Sequence, residues 1–277
     1  MESYTLYYKV NRRMLRVPMY KRMDQAAFLG FDVWDFSLRS LARPYGWRFL
    51  ASVLLRHPWR SLAGMRMYRR RIRPAQDVSG TPVGIVSRDS FLNELVEGDW
   101  MLGLGFCEKS LEPSCPAGRF NHRCWLLEQA QYEQFPRACR DCHVRELAMR
   151  ALEAGAALHI MTSAGDVARD LLIPALRGIP WGTVMSICPF SIPPMSLALA
   201  ISGCRGLMFG YEHGACGDYS AWDQADRGIK AEQTSLAPPI RADLHALLHE
   251  VASLRKSRGK QPARHFTPAG HFYYPAP

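Results

Sequence analysis

The sequence predicts an α/β fold, a parallel-sheet core with flanking helices, preceded by a basic helical N-terminal region. From residue 143 onward, apolar runs of strand length alternate with runs of helical periodicity. The predicted strands are 157–161, 182–187 and 206–210, and the predicted helices are 143–154, 166–177, 193–201 and 232–254. Such alternation is typical of parallel strands that are joined by right-handed crossovers.

Composition and the positions of proline and glycine suggest how the chain is divided. Of its 277 residues, 48% are hydrophobic and 22% are charged, which suits a globular chain with a substantial core. We expect a basic, aromatic-rich helical region at 1–73, a cysteine-rich α/β domain at 83–254 and a flexible tail at 255–277. Two more strands, 83–86 and 100–106, are expected to open the α/β domain after a linker at 73–82.

Positive charge is concentrated in the first quarter of the chain. Residues 1–75 contain 16 Lys+Arg, 4 Asp+Glu and 13 of the 30 aromatic residues. Basic helices with aromatic side chains are typical of in-plane docking on an anionic membrane surface, and a membrane protein is an alternative partner. Nucleic acid ranks behind these partners, because no zinc finger or RNA-recognition signature accompanies the charge.

Two further patterns bear on localisation. The first residues have neither an apolar segment nor a small-residue cleavage site, so we expect no secretion signal and a cytoplasmic, peripherally membrane-associated protein. The uncharged run 178–204 is long enough to span a bilayer, but prolines and glycines interrupt it. We therefore interpret this run as buried strand, turn and helix.

Four cysteines are expected to meet at one edge of the sheet. Cys139 and Cys142 form a CxxC that opens a helix, Cys188 ends a strand, and Cys216 follows the last predicted strand. The carboxyl ends of parallel strands and the N-termini of the following helices share an edge, so these thiols should converge. Four thiolates suit a [4Fe-4S] cluster or zinc, and one close pair with two single cysteines favours the cluster. Buried cysteines without a ligand remain an alternative.

The other cysteines divide into two kinds. Cys107, Cys115 and Cys124 are spaced 8 and 9 residues apart, and a second metal site with His122 as fourth ligand is possible on this spacing. The alternative is that they are ordinary loop cysteines. Cys204 opens a strand, so we expect it at the opposite edge as a small core residue.

Part of the α/β region resembles a known family. The segments FPRACRDCHVRELAMRALEAGAALHIMTSAG, SICP and YEHGACGDY are similar to a family of uncharacterised cysteine-rich prokaryotic α/β proteins. The resemblance covers residues 135–219 and is carried by the CxxC and the later single cysteines. It implies a metal site made by Cys139, Cys142, Cys188 and Cys216, and it implies no particular reaction.

Polar residues near these cysteines are candidates for catalysis. Glu212, His213 and Asp218 lie in the same loop as Cys216, so they are the first candidates for proton transfer or substrate contact. The alternative is a polar surface loop. The pair Gly103 and Gly105 follows a strand, but the third glycine of a dinucleotide fingerprint is replaced by Glu108.

Two hypotheses follow for the function. The first is an iron–sulfur protein at the cytoplasmic membrane face, which acts with a redox partner as a redox protein or as a cluster-dependent enzyme. The second is a zinc-stabilised binding module whose basic N-terminus contacts nucleic acid or protein. A metal-free α/β enzyme with buried cysteines is a third possibility.

Overall fold

The computed structural model describes residues 28–76, 80–128, 136–178 and 181–277. The predicted basic segment at 1–27 therefore lies outside the described residues, as do residues 129–135 between two of the cysteines. Of the predicted helical region at 1–73, the structure describes residues 28–73.

The described residues form a seven-stranded mixed sheet in the order β1-β5-β4-β2-β3-β7-β6. The strands are β1 Thr81–Val83, β2 Trp100–Gly105, β3 Ala157–Met161, β4 Gly182–Ile187, β5 Arg205–Gly210, β6 His265–Ala269 and β7 Phe272–Ala276. The four central strands are parallel, β1 is antiparallel to β5, and the β6–β7 hairpin is antiparallel to β3. The predicted α/β fold with a parallel core is confirmed.

Helices cover both faces of this sheet. They are α1 Phe31–Ser40, α2 Pro44–Phe49, α3 Pro58–Met67, α4 Arg88–Glu97, α5 Trp125–Glu128, α6 Arg137–Arg140, α7 His143–Glu153, α8 Ala164–Val167, α9 Ile173–Leu176, α10 Ile192–Ser202, α11 Tyr219–Asp226 and α12 Pro238–Ser257. Apolar residues of α4, α7 and α12 form the core on one face, and those of α1, α3, α8, α9 and α10 form the core on the other. Both faces of the central strands are therefore buried, as parallel strands require.

The three predicted N-terminal helices are present, and two of them continue as π-helix. Segments Leu50–Leu55 and Tyr68–Ile72 extend α2 and α3, and Ala168–Leu172 joins α8 to α9. Gly46 allows the tight approach of α2 to α1, because a Cβ there would lie 2.0 Å from the Ser40 carbonyl oxygen. Apolar periodicity alone predicts helix and does not distinguish π-helical turns.

The C-terminal region differs from the prediction. Residues 265–276 form the β6–β7 hairpin and are not a flexible tail. Phe266 and Tyr273 are buried, and Gly270 makes the turn with φ 61°. The short spacing of these apolar residues around a glycine is a hairpin pattern, which the abundance of proline and histidine conceals. A further difference is that 219–226 is helical and α12 begins at Pro238.

The order of the parallel strands creates a crevice at the carboxyl edge of the sheet. From β2 the chain crosses to β3 on one side, whereas β4 is followed by β5 on the other side. In α/β sheets, ligands bind at such a reversal of strand order. The uncharged run 178–204 is divided between β4 and α10, and within the described ranges no helix is long and apolar enough to cross a membrane.

Candidate active site

A cavity of about 430 Å³ opens at this crevice, between the strand ends and the N-terminal helices. Its walls are mainly apolar and come from α1, α2, the π-helical segments, α10 and α11. Representative wall residues are Val33, Phe36, Leu54, Met161, Leu197 and Trp222. Its volume is that of a small-molecule site, and its lining suits an apolar ligand.

Helices α1 and α2 are fastened to α11 across the cavity. The ring centroids of Phe36 and Trp222 are 4.7 Å apart in an edge-to-face arrangement. The Arg43 guanidinium forms an ion pair with the buried carboxylate of Asp223. These contacts make the N-terminal helices one wall of the site, so the basic region and the α/β core share the cavity.

Three thiols form the floor of the cavity. Cys107 lies two residues after the end of β2, Cys188 directly follows β4, and Cys216 lies in the loop after β5. The backbone N–H of Cys216 donates to the Cys188 sulfur at 3.3 Å. Cys188 is 9% exposed and Cys216 is 2% exposed, and both line the cavity.

The contact between the two thiols makes them chemically different. A hydrogen bond from the Cys188 side chain lowers the pKa of Cys216 to about 7, against the opposing effect of burial. The Lys230 ammonium, whose Nζ is 3.5 Å from the Cys216 sulfur, acts in the same direction. The same contact raises the pKa of Cys188 well above its usual range. A thiolate next to a neutral thiol is the arrangement of reactive cysteine pairs.

A buried carboxyl group lies behind the floor. Glu108 is fully buried, and its Oε1 accepts hydrogen bonds from Tyr211 at 2.6 Å and from Ser186 at 2.7 Å. Its Oε2 is buried with no hydrogen-bond partner among the described residues. Burial raises the pKa of Glu108 to about 7, although these two hydrogen bonds oppose the rise. Tyr211 and Ser186 line the cavity, so they link this carboxyl group to it.

Gly105 is required at the end of β2. Its backbone N–H donates to the Tyr211 hydroxyl at 3.0 Å. A Cβ at this position would lie 2.8 Å from that hydroxyl oxygen and 3.0 Å from the Cys107 sulfur. The glycine therefore allows a tyrosine and a thiol to meet over the end of the strand.

The predicted catalytic residues lie elsewhere. The side chains of Glu212 and His213 are about half exposed, and His213 Nε2 lies 3.7 Å from Glu212 Oε2. Asp218 caps α11, where its carboxylate accepts the Ala221 N–H at 2.8 Å. None of the three lines the cavity. Their placement is that of a polar surface loop, because the chain turns outward after Tyr211.

The expected convergence of four thiols is corrected. Cys188 and Cys216 meet each other and Cys107, whereas the cavity lining does not include Cys139 or Cys142. Electrostatic interactions instead link Cys139 and Cys142 with the two remaining cysteines, Cys115 and Cys124. The reason is that the chain makes a long excursion, residues 106–142, between β2 and α7. It runs over the β3 and β7 side of the sheet, whereas Cys188 and Cys216 follow β4 and β5.

Two contacts locate that excursion. His122 Nδ1 donates to the Ile160 carbonyl of β3 at 2.8 Å, and the Cys124 N–H donates to the Tyr273 hydroxyl of β7 at 2.7 Å. Cys204 is buried at the start of β5, on the other face of the sheet. Its expected place in the core is confirmed.

Histidines and carboxylates gather beside the end of β3. Ligand atoms of His122, Asp166 and His271 all lie within 4.8 Å of one another. Asp170 lies 2.8 Å from His271 Nδ1, and Arg169 contacts both carboxylates at 2.8 Å. Burial alone would raise the pKa of Asp170, but hydrogen bonds from histidines and Arg169 hold it far below its usual range.

The ring geometry decides what this cluster does. The imidazoles of His122 and His271 are stacked, with centroids 3.7 Å apart and planes 11° from parallel. A ring nitrogen binds a metal in the plane of its ring, so two stacked rings do not point at one cation. We interpret the cluster as a charge-balanced network that holds the excursion and the β6–β7 hairpin against β3.

Several functional residues were missed in the sequence. Glu108 was noted only because it disqualified a dinucleotide motif, although an acidic residue directly after a buried strand is itself a site signal. Cys107 is predicted from the sequence as a metal candidate with Cys115 and Cys124, whereas the structure places it on the floor of the cavity, two residues after β2. Lys230 has no local pattern, because its role depends on a loop that folds back over Cys216.

The outer surface near the cavity is apolar and positively charged. Of the eleven exposed large hydrophobic side chains among the described residues, five fall within 34–59, and Trp59 is 81% exposed. Trp34 and Leu38 are both exposed and part of the cavity lining, so the cavity opens onto this surface. Residues 36–76 contain ten arginines and no acidic residue.

No family model matches this chain, and no curated protein or solved structure shows significant similarity to it. The resemblance of residues 135–219 to a cysteine-rich prokaryotic family therefore stays a prediction. What the protein does is accordingly inferred from the chemistry of its own residues.

Proposed function

We propose that this protein is an oxidoreductase that docks on the cytoplasmic face of a membrane and exchanges electrons with a lipid-soluble substrate. One observation carries the proposal: a contacting thiol pair, Cys188 and Cys216, forms the floor of an apolar cavity. Both sulfurs are buried, so a reactant must enter the cavity to meet them. A polar reactant would lose its hydration there without compensating hydrogen bonds, which favours an apolar one.

The proposed reaction is a two-electron dithiol oxidation. The Cys216 thiolate and the Cys188 thiol each lose one electron, and the two sulfurs form one S–S bond. The proposed electron acceptor is a fully substituted quinone, which gains two electrons and two protons to become a quinol. One proton comes from the Cys188 thiol. The second comes from the Tyr211 hydroxyl, which lies 2.6 Å from Glu108 Oε1 and regains a proton from that carboxyl group.

The pKa of about 7 suits Glu108 to this role. At neutral pH a group with this pKa is present in both protonation states, so it can give up a proton and regain one. Turnover also requires a redox partner of the thiol or one-electron-donor class to reduce the disulfide.

Membrane docking accounts for the surface around the cavity. Exposed indoles such as Trp47 and Trp59 suit the acyl boundary, and the surrounding arginines suit anionic headgroups. Phe28, Arg66, Arg69 and Arg70 line a second concave site, where three guanidinium groups could neutralise a phosphate. Because the apolar cavity opens nearby, a lipid-soluble substrate would enter it from the bilayer.

A single-turnover assay tests the reaction. Fully reduced protein is mixed anaerobically with decylubiquinone, whose substituted ring does not add thiols, and the Cys188–Cys216 disulfide is quantified by peptide mass spectrometry. We expect one disulfide and one quinol per chain, and a much slower reaction with the water-soluble acceptor ferricyanide.

Two variants make this assay specific. Cys216→Ser should abolish quinone reduction, whereas Cys204→Ser, which removes a thiol from the opposite edge, should retain it. Quinone reduction that survives Cys216→Ser, or a disulfide between other cysteines, would contradict the proposal.

Vesicle flotation tests the docking. Vesicles that contain phosphatidylglycerol should bind the protein more tightly than phosphatidylcholine vesicles. Trp47→Ala with Trp59→Ala should weaken binding about thirtyfold, because each indole loses on the order of 1 kcal/mol of apolar burial. Ile229→Ala removes an exposed apolar side chain elsewhere and should leave binding unchanged. Equal binding by the double variant, or retention on RNA alone, would overturn membrane docking.

A further inference from the structure

A buried lysine forms the centre of the long excursion after β2. Lys109 is 1% exposed, and its Nζ donates to oxygens of residues 118–123. The acceptors are the Gly118 carbonyl at 3.1 Å, the Asn121 carbonyl at 2.7 Å, the Asn121 Oδ1 at 2.9 Å and the Arg123 carbonyl at 2.8 Å. These bonds fold the loop around the ammonium group and fix its position.

The positive charge of Lys109 has no carboxylate partner within 4 Å in the described part of the chain. Glu128 is the only carboxylate among its main electrostatic neighbours there, and it is paired with Arg123 at 2.6 Å. A buried cation without a counter-charge is costly, so this environment favours an anionic group nearby.

The nearest chemistry is sulfur. Three cysteines, Cys115, Cys124 and Cys142, act electrostatically on the Lys109 ammonium, and Cys139 interacts in turn with Cys142 and Cys115. They come from separate segments: the turn after Ser110, the residue before α5, and the α6–α7 corner. All four are free thiols.

We propose that Cys115, Cys124, Cys139 and Cys142 are the ligands of a [4Fe-4S] cluster beside Lys109. Four thiolates make the bound centre anionic, and that negative charge complements the buried ammonium. The proposal replaces the predicted set of Cys139, Cys142, Cys188 and Cys216 with four cysteines from separate segments between β2 and α7. It assigns a one-electron centre to the protein and does not depend on the dithiol reaction.

The lack of closely spaced thiols favours a cluster over a preformed zinc site. A tetrahedral zinc site with bonds of about 2.3 Å brings its sulfurs to about 3.8 Å from one another. No three cysteine sulfurs of the described residues lie within 4.8 Å of one another. In a cubane each thiolate binds a different iron, so its sulfurs lie farther apart, and the lack of a close triad among the described cysteines agrees with this arrangement.

Anaerobic purification of the full chain followed by iron, sulfide and zinc analysis tests the site. We expect about four irons and four sulfides per chain, with broad visible absorption that bleaches on reduction. Zinc alone, or no metal in protein that was never exposed to air, would overturn the proposal.

Four serine variants locate the ligands. Cys115→Ser and Cys124→Ser, both at half-buried positions, should lose iron and visible absorption. Cys188→Ser and Cys204→Ser should retain both. Circular dichroism identifies any variant that fails to fold, and the two loop variants check each other. Loss of iron in Cys188→Ser with retention in Cys124→Ser would favour the earlier ligand set and overturn this one.

Metal analysis also separates the two proposals. A protein with iron but without quinone-dependent disulfide formation would contradict the proposed function and leave the cluster intact. A protein without iron that still reduces quinone in a single turnover would contradict only the cluster.

Discussion

The floor of the cavity and the excursion after β2 each combine cysteines with one lysine, but they arrange them differently. On the floor, Cys188 and Cys216 are in contact, and Lys230 approaches the sulfur of Cys216 directly. In the excursion, four thiols are distributed around Lys109, whose ammonium donates to loop oxygens. The same residue types are therefore arranged for the two proposed kinds of chemistry, disulfide formation on the floor and metal binding in the excursion.

Topology explains this difference. Cys188 and Cys216 lie in the segments that follow two neighbouring parallel strands, and the hydrogen-bonded register of the sheet brings these segments to the same edge. Cysteines in a long loop are positioned by what the loop folds around. Contact favours a bond between two sulfurs, whereas dispersion around a buried cation favours a larger anionic group.

The largest expected effect comes from substituting one cysteine in each region and measuring both quinone reduction and iron content. Cys216→Ser should reduce single-turnover quinone reduction to the background rate and leave the iron content unchanged. Cys142→Ser should do the opposite, because the reduced thiol pair already holds the two electrons that one turnover needs. The measurements are quinol formation and iron analysis on the same preparations. If either variant loses both properties while remaining folded, the two regions form one site and the comparison fails.

The next effect concerns the buried acid behind the floor. Burial raises the pKa of Glu108 from 4.5 to about 7. Its contribution to stability is therefore complete below the unfolded pKa and is lost as pH rises through about 7. The total loss is on the order of 3 kcal/mol. Glu108→Gln should remove this pH dependence. The measurement is the free energy of unfolding by denaturant at a pH below 4.5 and at a pH above about 7.

Glu128 in the excursion provides a control of opposite sign. The hydrogen bond from Arg123 lowers its pKa, so its contribution is present above the unfolded pKa and is lost as pH falls. Glu128→Gln should therefore be most destabilising at neutral pH, and the difference from the wild type should shrink in acid. If the effect on the free energy of unfolding changes with pH in the same direction in both variants, the two carboxyl groups do not differ in environment as described.

The sequence predicts the two regions unequally. The strand pattern and the ends of β3 and β4 were predicted correctly, because buried parallel strands have a strong local signature. The same reasoning correctly brought Cys188 and Cys216 to one edge. It failed for Cys139 and Cys142, because the sequence shows that they open a helix but not how far along the edge that helix lies.

Longer-range contacts account for the site residues that the sequence does not indicate. Glu108 and Lys230 acquire their roles from Tyr211 and Cys216, which lie 103 and 14 residues away in the chain. The catalytic assignments to Glu212, His213 and Asp218 relied on proximity in sequence to Cys216. Proximity in sequence does not determine direction, and after Tyr211 these side chains point to the surface or cap a helix.

The smallest expected effect sharpens the comparison of the two lysines. Lys230→Met removes the ammonium 3.5 Å from the Cys216 sulfur, so the pKa of that thiol should rise from about 7. A rise of about one unit would leave roughly fivefold less thiolate at neutral pH. The measurement is the pH dependence of Cys216 alkylation by a lipophilic maleimide, followed by peptide mass spectrometry. Lys256→Met, at an exposed site outside the cavity lining, should leave the profile unchanged. An unchanged profile in Lys230→Met would mean that Cys188 alone activates Cys216, and the floor would then owe its reactivity to the thiol contact without help from a cation.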